Sequence, residues 1–193
     1  MAWSMFGPRS IASRFPSKGG VEKIVVGVGD CRVATNPQSA LITYALGSCV
    51  GLTVYDPVTR IGGLLHFMLP DSSLDPAGSQ WNPFKFADTG ISRLLEDVCE
   101  QGASKRRLIV CAAGAAETMD DRSLFEIGKR NYLAVRRLLW KFGLLLTGEA
   151  VGGTTFRTVS LEIASGRVVV REAGRHRELS ALRKGDQSWH TAF

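Results

Sequence analysis

Along residues 22–69 apolar and polar positions alternate in short runs, the period-2 signature of β-strands. Residues 22–28 and 31–35 read as two short strands separated by the tight-turn pair Gly29-Asp30, and residues 41–45 as a third. Residues 49–55 (Cys-Val-Gly-Leu-Thr-Val-Tyr) and 60–69 flank Asp56-Pro57-Val58-Thr59, where Pro57 suits the second position of a turn, so a β-hairpin is expected. Residues 71–83, rich in Ser, Pro, Asp, Gly and Asn, read as a long surface loop. The period then changes. Ile91, Leu94, Leu95, Val98 and Cys99 recur at helical spacing and predict a helix capped by Asp88 and stopped at Gly102. Residues 108–112 form a buried strand. A second helix is expected over 128–142, with Tyr132, Val135, Leu139 and Phe142 on one face and Gly143 as its stop. Residues 144–151, 155–163 and 167–171 are the last strands, Ser165-Gly166 turning the final hairpin; from Gly174 on, the polar residues show no pattern. Antiparallel runs of strands punctuated by two helices make an α+β layout, with helices packed on sheets.

Composition narrows the function classes. The chain has 193 residues, 45% hydrophobic and 22% charged, which suits one globular domain with loose ends. No apolar run approaches the roughly 20 residues of a membrane span. The first 20 residues carry Arg9, Arg14 and Lys18, no acid and no apolar block, so they read as a mobile basic tail rather than a signal peptide. A single domain is expected over 21–173, followed by a polar tail over 174–193. The net charge of +6 is spread over Lys105-Arg106-Arg107, a helix bearing Lys129, Arg130, Arg136 and Arg137, and both ends. That distribution reads as a solvated face, not a nucleic-acid stripe, and no aromatic-rich basic motif accompanies it. Neither nucleic acid nor membrane insertion is expected. The four cysteines form no C-x-x-C pair and, with three histidines, do not space like a zinc site. Reduced thiols, a cytoplasmic location, and no metal or organic cofactor follow as expectations.

The hairpin places candidate chemistry. Around a two-residue loop, Asp56 faces Thr59, Thr53 faces Gly62, Gly51 faces Leu64, and Cys49 faces His66. The opposite face then carries Val50, Leu52 and Val54 against Leu65, Gly63 and Ile61, a coherent apolar surface. A thiolate is a nucleophile; an adjacent imidazolium lowers the thiol pKa, and the imidazole can pass a proton to a leaving group. Gly47-Ser48 just before Cys49 permits a tight approach with positive φ, and backbone N–H groups there can point at an oxyanion. A strand cysteine is ordinarily a small buried hydrophobe, and a strand histidine ordinarily structural. That reading is kept for Cys31, Cys99 and Cys111; for Cys49 and His66 both readings stand open on the residues alone. His176 and His190 look incidental.

Residues 43–49 read Thr-Tyr-Ala-Leu-Gly-Ser-Cys and residues 55–70 read Tyr-Asp-Pro-Val-Thr-Arg-Ile-Gly-Gly-Leu-Leu-His-Phe-Met-Leu-Pro. Together with Lys85-Phe86-Ala87-Asp88, residues 125–131 (Phe-Glu-Ile-Gly-Lys-Arg-Asn), Gly152-Gly153 with Arg157, and the strand over 166–171, this closely resembles the chemoreceptor glutamine deamidase family, CheD, over residues 22–172. The resemblance implies an α+β layered sandwich of mostly antiparallel, mixed sheets with two main packed helices, of cysteine-hydrolase type. It implies a Cys-His-Thr triad: Cys49 as nucleophile, His66 as base and then acid, and Thr43 orienting the histidine. The substrates implied are glutamines of methyl-accepting chemotaxis receptors, and a CheC-type phosphatase is an implied partner. Gripping a protein substrate falls to the loop bearing Trp81 and Phe84, unless these aromatics merely pin that loop to the body. One departure is Ala113-Gly114-Ala115-Ala116, where the family usually has Gly-Gly-Ala, which restricts the backbone there. Two other readings compete: a non-catalytic adaptor that modulates a CheC-type phosphatase, for which intact Cys49 and His66 have no use, and a different cysteine hydrolase such as a peptidase or transglutaminase.

Overall fold

A computed structural model describes residues 20–117 and 126–179. Residues 1–19 of the tail expected over 1–20 and residues 180–193 of the tail expected over 174–193 lie outside the described residues, as does Phe125. The elements in chain order are β1 (Glu22–Val25), β2 (Asp30–Ala34), β3 (Ser39–Leu46), β4 (Val50–Asp56), β5 (Ile61–Phe67), α1 (Pro76–Trp81), α2 (Ala87–Glu100), β6 (Ile109–Gly114), α3 (Ile127–Lys141), β7 (Gly148–Val151), β8 (Arg157–Glu162), β9 (Val168–Glu172) and β10 (Arg175–Glu178).

The strands form two five-stranded sheets, one in the order β1-β3-β8-β9-β10 and the other β2-β5-β4-β6-β7. The pairs β1/β3 and β6/β7 are parallel and the rest antiparallel. Both sheets are therefore mixed, as expected. Helices α2 and α3 pack on the second sheet, which gives three layers: helices, second sheet, first sheet. β4 and β5 are buried along their whole length because they lie at the centre of the middle layer. Their two faces feed two cores. Leu52, Val54, Leu65 and Phe67 meet Ile91, Leu94, Val98, Val135 and Leu139 of the helices. Tyr55, Leu64 and Ala113 meet Leu41, Val159, Leu161 and Ile163 of the first sheet.

Several expectations change. The hairpin closes with Asp56 opposite Ile61 around a four-residue turn, with Arg60 at φ 56, so every pair slides by two residues from the expected register. Gly51, not Cys49, lies opposite His66. A slip of two preserves which face each residue occupies, so the apolar face predicted from the sequence is the one observed. The expected loop over 71–83 is folded: a single turn at Ser72–Leu74 precedes α1, which Asp75 caps by accepting a 2.8 Å bond from Gly78 N. Asp88 does not cap α2; it sits in the first turn and accepts from Ser72 N and Ser72 Oγ, fastening that loop. Cys99 is exposed rather than part of the buried stripe. Residues 144–147 are not strand, and β7 begins at Gly148. Residues 175–178, patternless in sequence, pair with β9 around Ala173-Gly174, both at positive φ. Arg107 is not merely a solvated charge. It donates to the fully buried Asp56 carboxylate at 2.6 Å, and this bond holds the carboxyl well below the usual range.

Candidate active site

Thr43, Cys49 and His66 converge at one end of the sandwich, where β3 and β5 finish and β4 begins. Thr43 points inward from β3 and is fully buried. The two residues after it, Tyr44 and Ala45, are both exposed, and Leu46 turns back inside. This is a β-bulge: the pairing with β8 shifts between Thr43/Val159 and Leu46/Arg157, and Ala45 takes φ 56. The left-handed residue expected at Gly47 is thus Ala45, and Gly47 is not among the residues with positive φ.

His66 is 1% exposed and faces the first sheet. Its Nδ1 and the Thr43 hydroxyl share a 2.7 Å hydrogen bond across the two sheets, while its Nε2 is buried without a partner among the described residues. Gly51 makes this meeting possible. A Cβ on Gly51 would come within 2.9 Å of Leu46 Cδ1 and Val159 Cγ1 and 3.3 Å of Thr43 Cγ2. Burial pushes the His66 pKa down from 6.5 to about 4. Burial thus favours the neutral form of the ring over the imidazolium.

Cys49 stands just ahead of β4, half-buried against the inter-sheet core. It lies in the bend two residues before Gly51, the residue paired with His66, so the chain carries it to the end of β5 that bears the imidazole. Its loop is held at three successive carbonyls. The carbonyls of Gly47, Ser48 and Cys49 accept from Ala116 N (2.8 Å), Asn131 Nδ2 (2.9 Å) and Ala115 N (2.8 Å). All peptide bonds described are trans, so the N–H of Ser48 points away from Ala116 and that of Cys49 away from Asn131. Cys31 and Cys111, by contrast, have thiols that burial raises to about 12, which makes them inert packing. Trp81 and Phe84 separate: Phe84 packs against the helical core, whereas Trp81 is 89% exposed at the end of α1.

Three residues support the site without having been assigned a role from sequence. Asn131 of α3 is fully buried, and its Nδ2 donates to Ser48 O and Met68 O, each at 2.9 Å, which clamps the segment before Cys49 to the one after His66. An asparagine on an otherwise apolar helix face was its signal. Arg157, also buried, donates to Gly114 O (3.1 Å), Gly152 O (2.7 Å) and Glu172 Oε1 (2.7 Å). Gly114, at φ 111, admits the Cys49 carbonyl into the space a Cβ would fill. Next to it, within the segment that departs from the family pattern, Ala115 occupies φ 53, a left-handed conformation.

The fold and site define an α+β protein of two mixed sheets, with helices on one of them and a thiol, an imidazole and a hydroxyl gathered at one end of the sandwich. Within that class, the chain belongs to the CheD family. The family model described as CheD chemotactic sensory transduction matches residues 68–172. A probable chemoreceptor glutamine deamidase CheD of Solibacter usitatus is 60% identical over 159 residues, covering 82% of this chain and 94% of the relative. A probable chemoreceptor glutamine deamidase CheD 1 of Syntrophus aciditrophicus is 45% identical over 151 residues (78% and 94%), and a probable chemoreceptor glutamine deamidase CheD of Pyrococcus horikoshii 40% over 154 residues (79% and 93%).

Proposed function

We propose that the protein is a chemoreceptor glutamine deamidase in which Cys49 is the nucleophile, His66 the proton carrier and Thr43 the residue that aims the imidazole. The hydrogen bond between Thr43 Oγ1 and His66 Nδ1 carries this reading. When Nδ1–H is donated to the hydroxyl oxygen, Nε2 keeps its lone pair and serves as base. The neutral, buried ring takes the thiol proton as Cys49 Sγ attacks the carboxamide carbon of a substrate glutamine. The N–H groups of Ser48 and Cys49, opposed to carbonyls tied into the protein body, are the donors for the oxyanion. His66 returns the proton to the departing nitrogen, ammonia leaves, and a γ-glutamyl thioester remains. Water, deprotonated by His66, then attacks the thioester; glutamate is released and the thiol restored. The cytoplasm suits this chemistry, since there the thiol stays reduced. A CheC-type phosphatase belongs to the same proposal as a partner.

The test is mass spectrometry and ammonia release on a receptor cytoplasmic fragment. Wild type is expected to raise the fragment's mass by about one dalton per event, the replacement of NH₂ by OH. Cys49→Ala should be inactive. His66→Ala should lose about 10²-fold or more, and Thr43→Val about 10-fold or more, with Thr43→Ser retaining most activity. An active Cys49→Ala protein would refute the assignment.

A further inference from the structure

Helix α3 carries Lys129, Arg130, Arg136, Arg137 and Lys141 and no acidic residue. Its inner face is buried by Tyr132, Val135, Leu138 and Leu139. On its outer face lies a stripe that neither the core nor the site explains: Arg130, Leu133, Arg137 and Trp140, spaced three, four and three residues apart. Leu133 is 56% and Trp140 77% exposed. The two apolar residues are seven apart, and so are the two arginines. Beside the stripe, Pro70 and Asp71 form the other wall of a cleft of about 260 Å³ that Arg130, Leu133, Ala134 and Arg137 line. Asp71 reaches Arg137 at 3.8 Å, but both side chains are well exposed, so a competing carboxylate displaces this contact at little cost.

The stripe begins beside the site. Asn131, one residue from Arg130, donates to Ser48 O, and the turn that opens α3 at Gly128 packs against the carbonyls of Ala115 and Ala116, whose N–H groups hold the Cys49 loop. Pro70 follows closely on His66. A partner lying along α3 from Arg130 to Trp140, about 15 Å, therefore brings one of its ends to the mouth of the thiol site.

We propose that this stripe is the surface that grips the protein substrate, and that its occupant is an acidic amphipathic helix of the receptor with apolar side chains seven residues apart and carboxylates at the same interval. The inference rests on the deamidase reading for the identity of the partner. Charge complementarity selects the acids: Lys129 is already paired with Glu126 and Arg136 with the Tyr132 hydroxyl, but the stripe's own Arg130 and Arg137, the latter held only by the exposed Asp71, face outward and match carboxylates on a partner. The seven-residue interval selects a helix, because residues at that spacing form one seam and pack ridge into groove against a second helix. An extended peptide would instead seek a sheet edge. An exposed Trp beside arginines is the composition of an interface centre.

The experiment measures binding of a receptor cytoplasmic fragment to full-length Cys49→Ala protein, with deamidation by the wild type followed in parallel. Arg130→Glu/Arg137→Glu and Leu133→Ala/Trp140→Ala are each expected to weaken binding roughly 10-fold or more, with unfolding midpoints like the parent's. Binding to the parent should weaken as salt is raised, and that dependence should flatten in the arginine variant. Val58→Ser, on the hairpin turn at the far end of β4, is the control and should bind like the parent. Unchanged affinity in both double variants overturns the proposal. So does a stripe needed for anionic vesicles but not for the fragment. The two readings fail separately: stripe-dependent binding without turnover by wild type sinks the deamidase assignment and leaves the surface standing, whereas turnover with stripe-independent binding does the reverse.

Discussion

His66 carries two consequences of one fact, its burial. Enclosed between sheets, its ring is held toward the neutral form at physiological pH. Its folded pKa of about 4 lies below the ordinary 6.5. Between those values the unfolded chain binds more protons than the folded one, so stability rises with pH and is lost as pH falls from about 6.5 toward 4. By pH 5 this one residue is expected to account for about 2 kcal/mol of lost stability. Urea midpoints at pH 7 and pH 5 check it: the drop should be smaller in His66→Gln, and equal drops would mean that the ring is not desolvated. The same residue marks what was legible in the sequence. Cys49, His66 and Thr43 stood out from the motifs they sit in, but the burial of the histidine did not, because it depends on β2 and β4 on either side of it and on Thr43 of the other sheet.

At the scale of elements, the decisive feature is how the β3–β4 connection is seated on the end of β6. The bulge at Tyr44-Ala45 turns Thr43 and Leu46 inward together, and Gly114 lets the Cys49 carbonyl approach. Alanine at position 114 would have to adopt φ 111 and would collide with that carbonyl. Gly114→Ala is expected to cost about 2 kcal/mol or more and to lower turnover with it, since the Cys49 loop must move. Thermal unfolding and the deamidation assay together decide this; a near-unchanged midpoint would show that the loop yields freely. The two main helices and most of the strands were readable from their periods, and so were the stops at Gly102 and Gly143, both at positive φ, whereas α1 and β10 were not. The bulge was not, because one extra residue in a strand has no periodic signature of its own.

For the whole molecule, stability and chemistry sit at opposite ends of the central hairpin. Asp56, at the turn end, accepts from Val58 N (2.9 Å), Ser104 N (2.8 Å) and the Arg107 guanidinium, tying the turn to the segment that leads into β6. Asp56→Asn leaves the Arg107 charge without its partner and is expected to cost about 2–3 kcal/mol, while activity per folded molecule persists because the site lies at the other end of β4. Denaturant unfolding and active-site titration separate the two effects. The Asp56 carboxyl, held low by Arg107, also loses its stabilising pairing as pH falls, so it and His66 act in the same direction and acid is the condition under which this fold is weakest.

Local periods of 2 and 3.6 residues were enough to set the α+β class, the two main helices, the central hairpin and the faces its residues occupy. They also set face membership in spite of the wrong register, since strand parity survives a slip of two. The tertiary structure alone decided which residue stands opposite His66, because a four-residue turn and a two-residue turn are both compatible with the same alternation. It alone brought Asn131 to the Cys49 loop, and Arg157 to the Gly114 carbonyl, from distant parts of the chain. And it alone separated buried from exposed on α3, where a cationic helix became a stripe with Leu133 and Trp140 on it: which face a helix offers to solvent is settled by what packs against the other side.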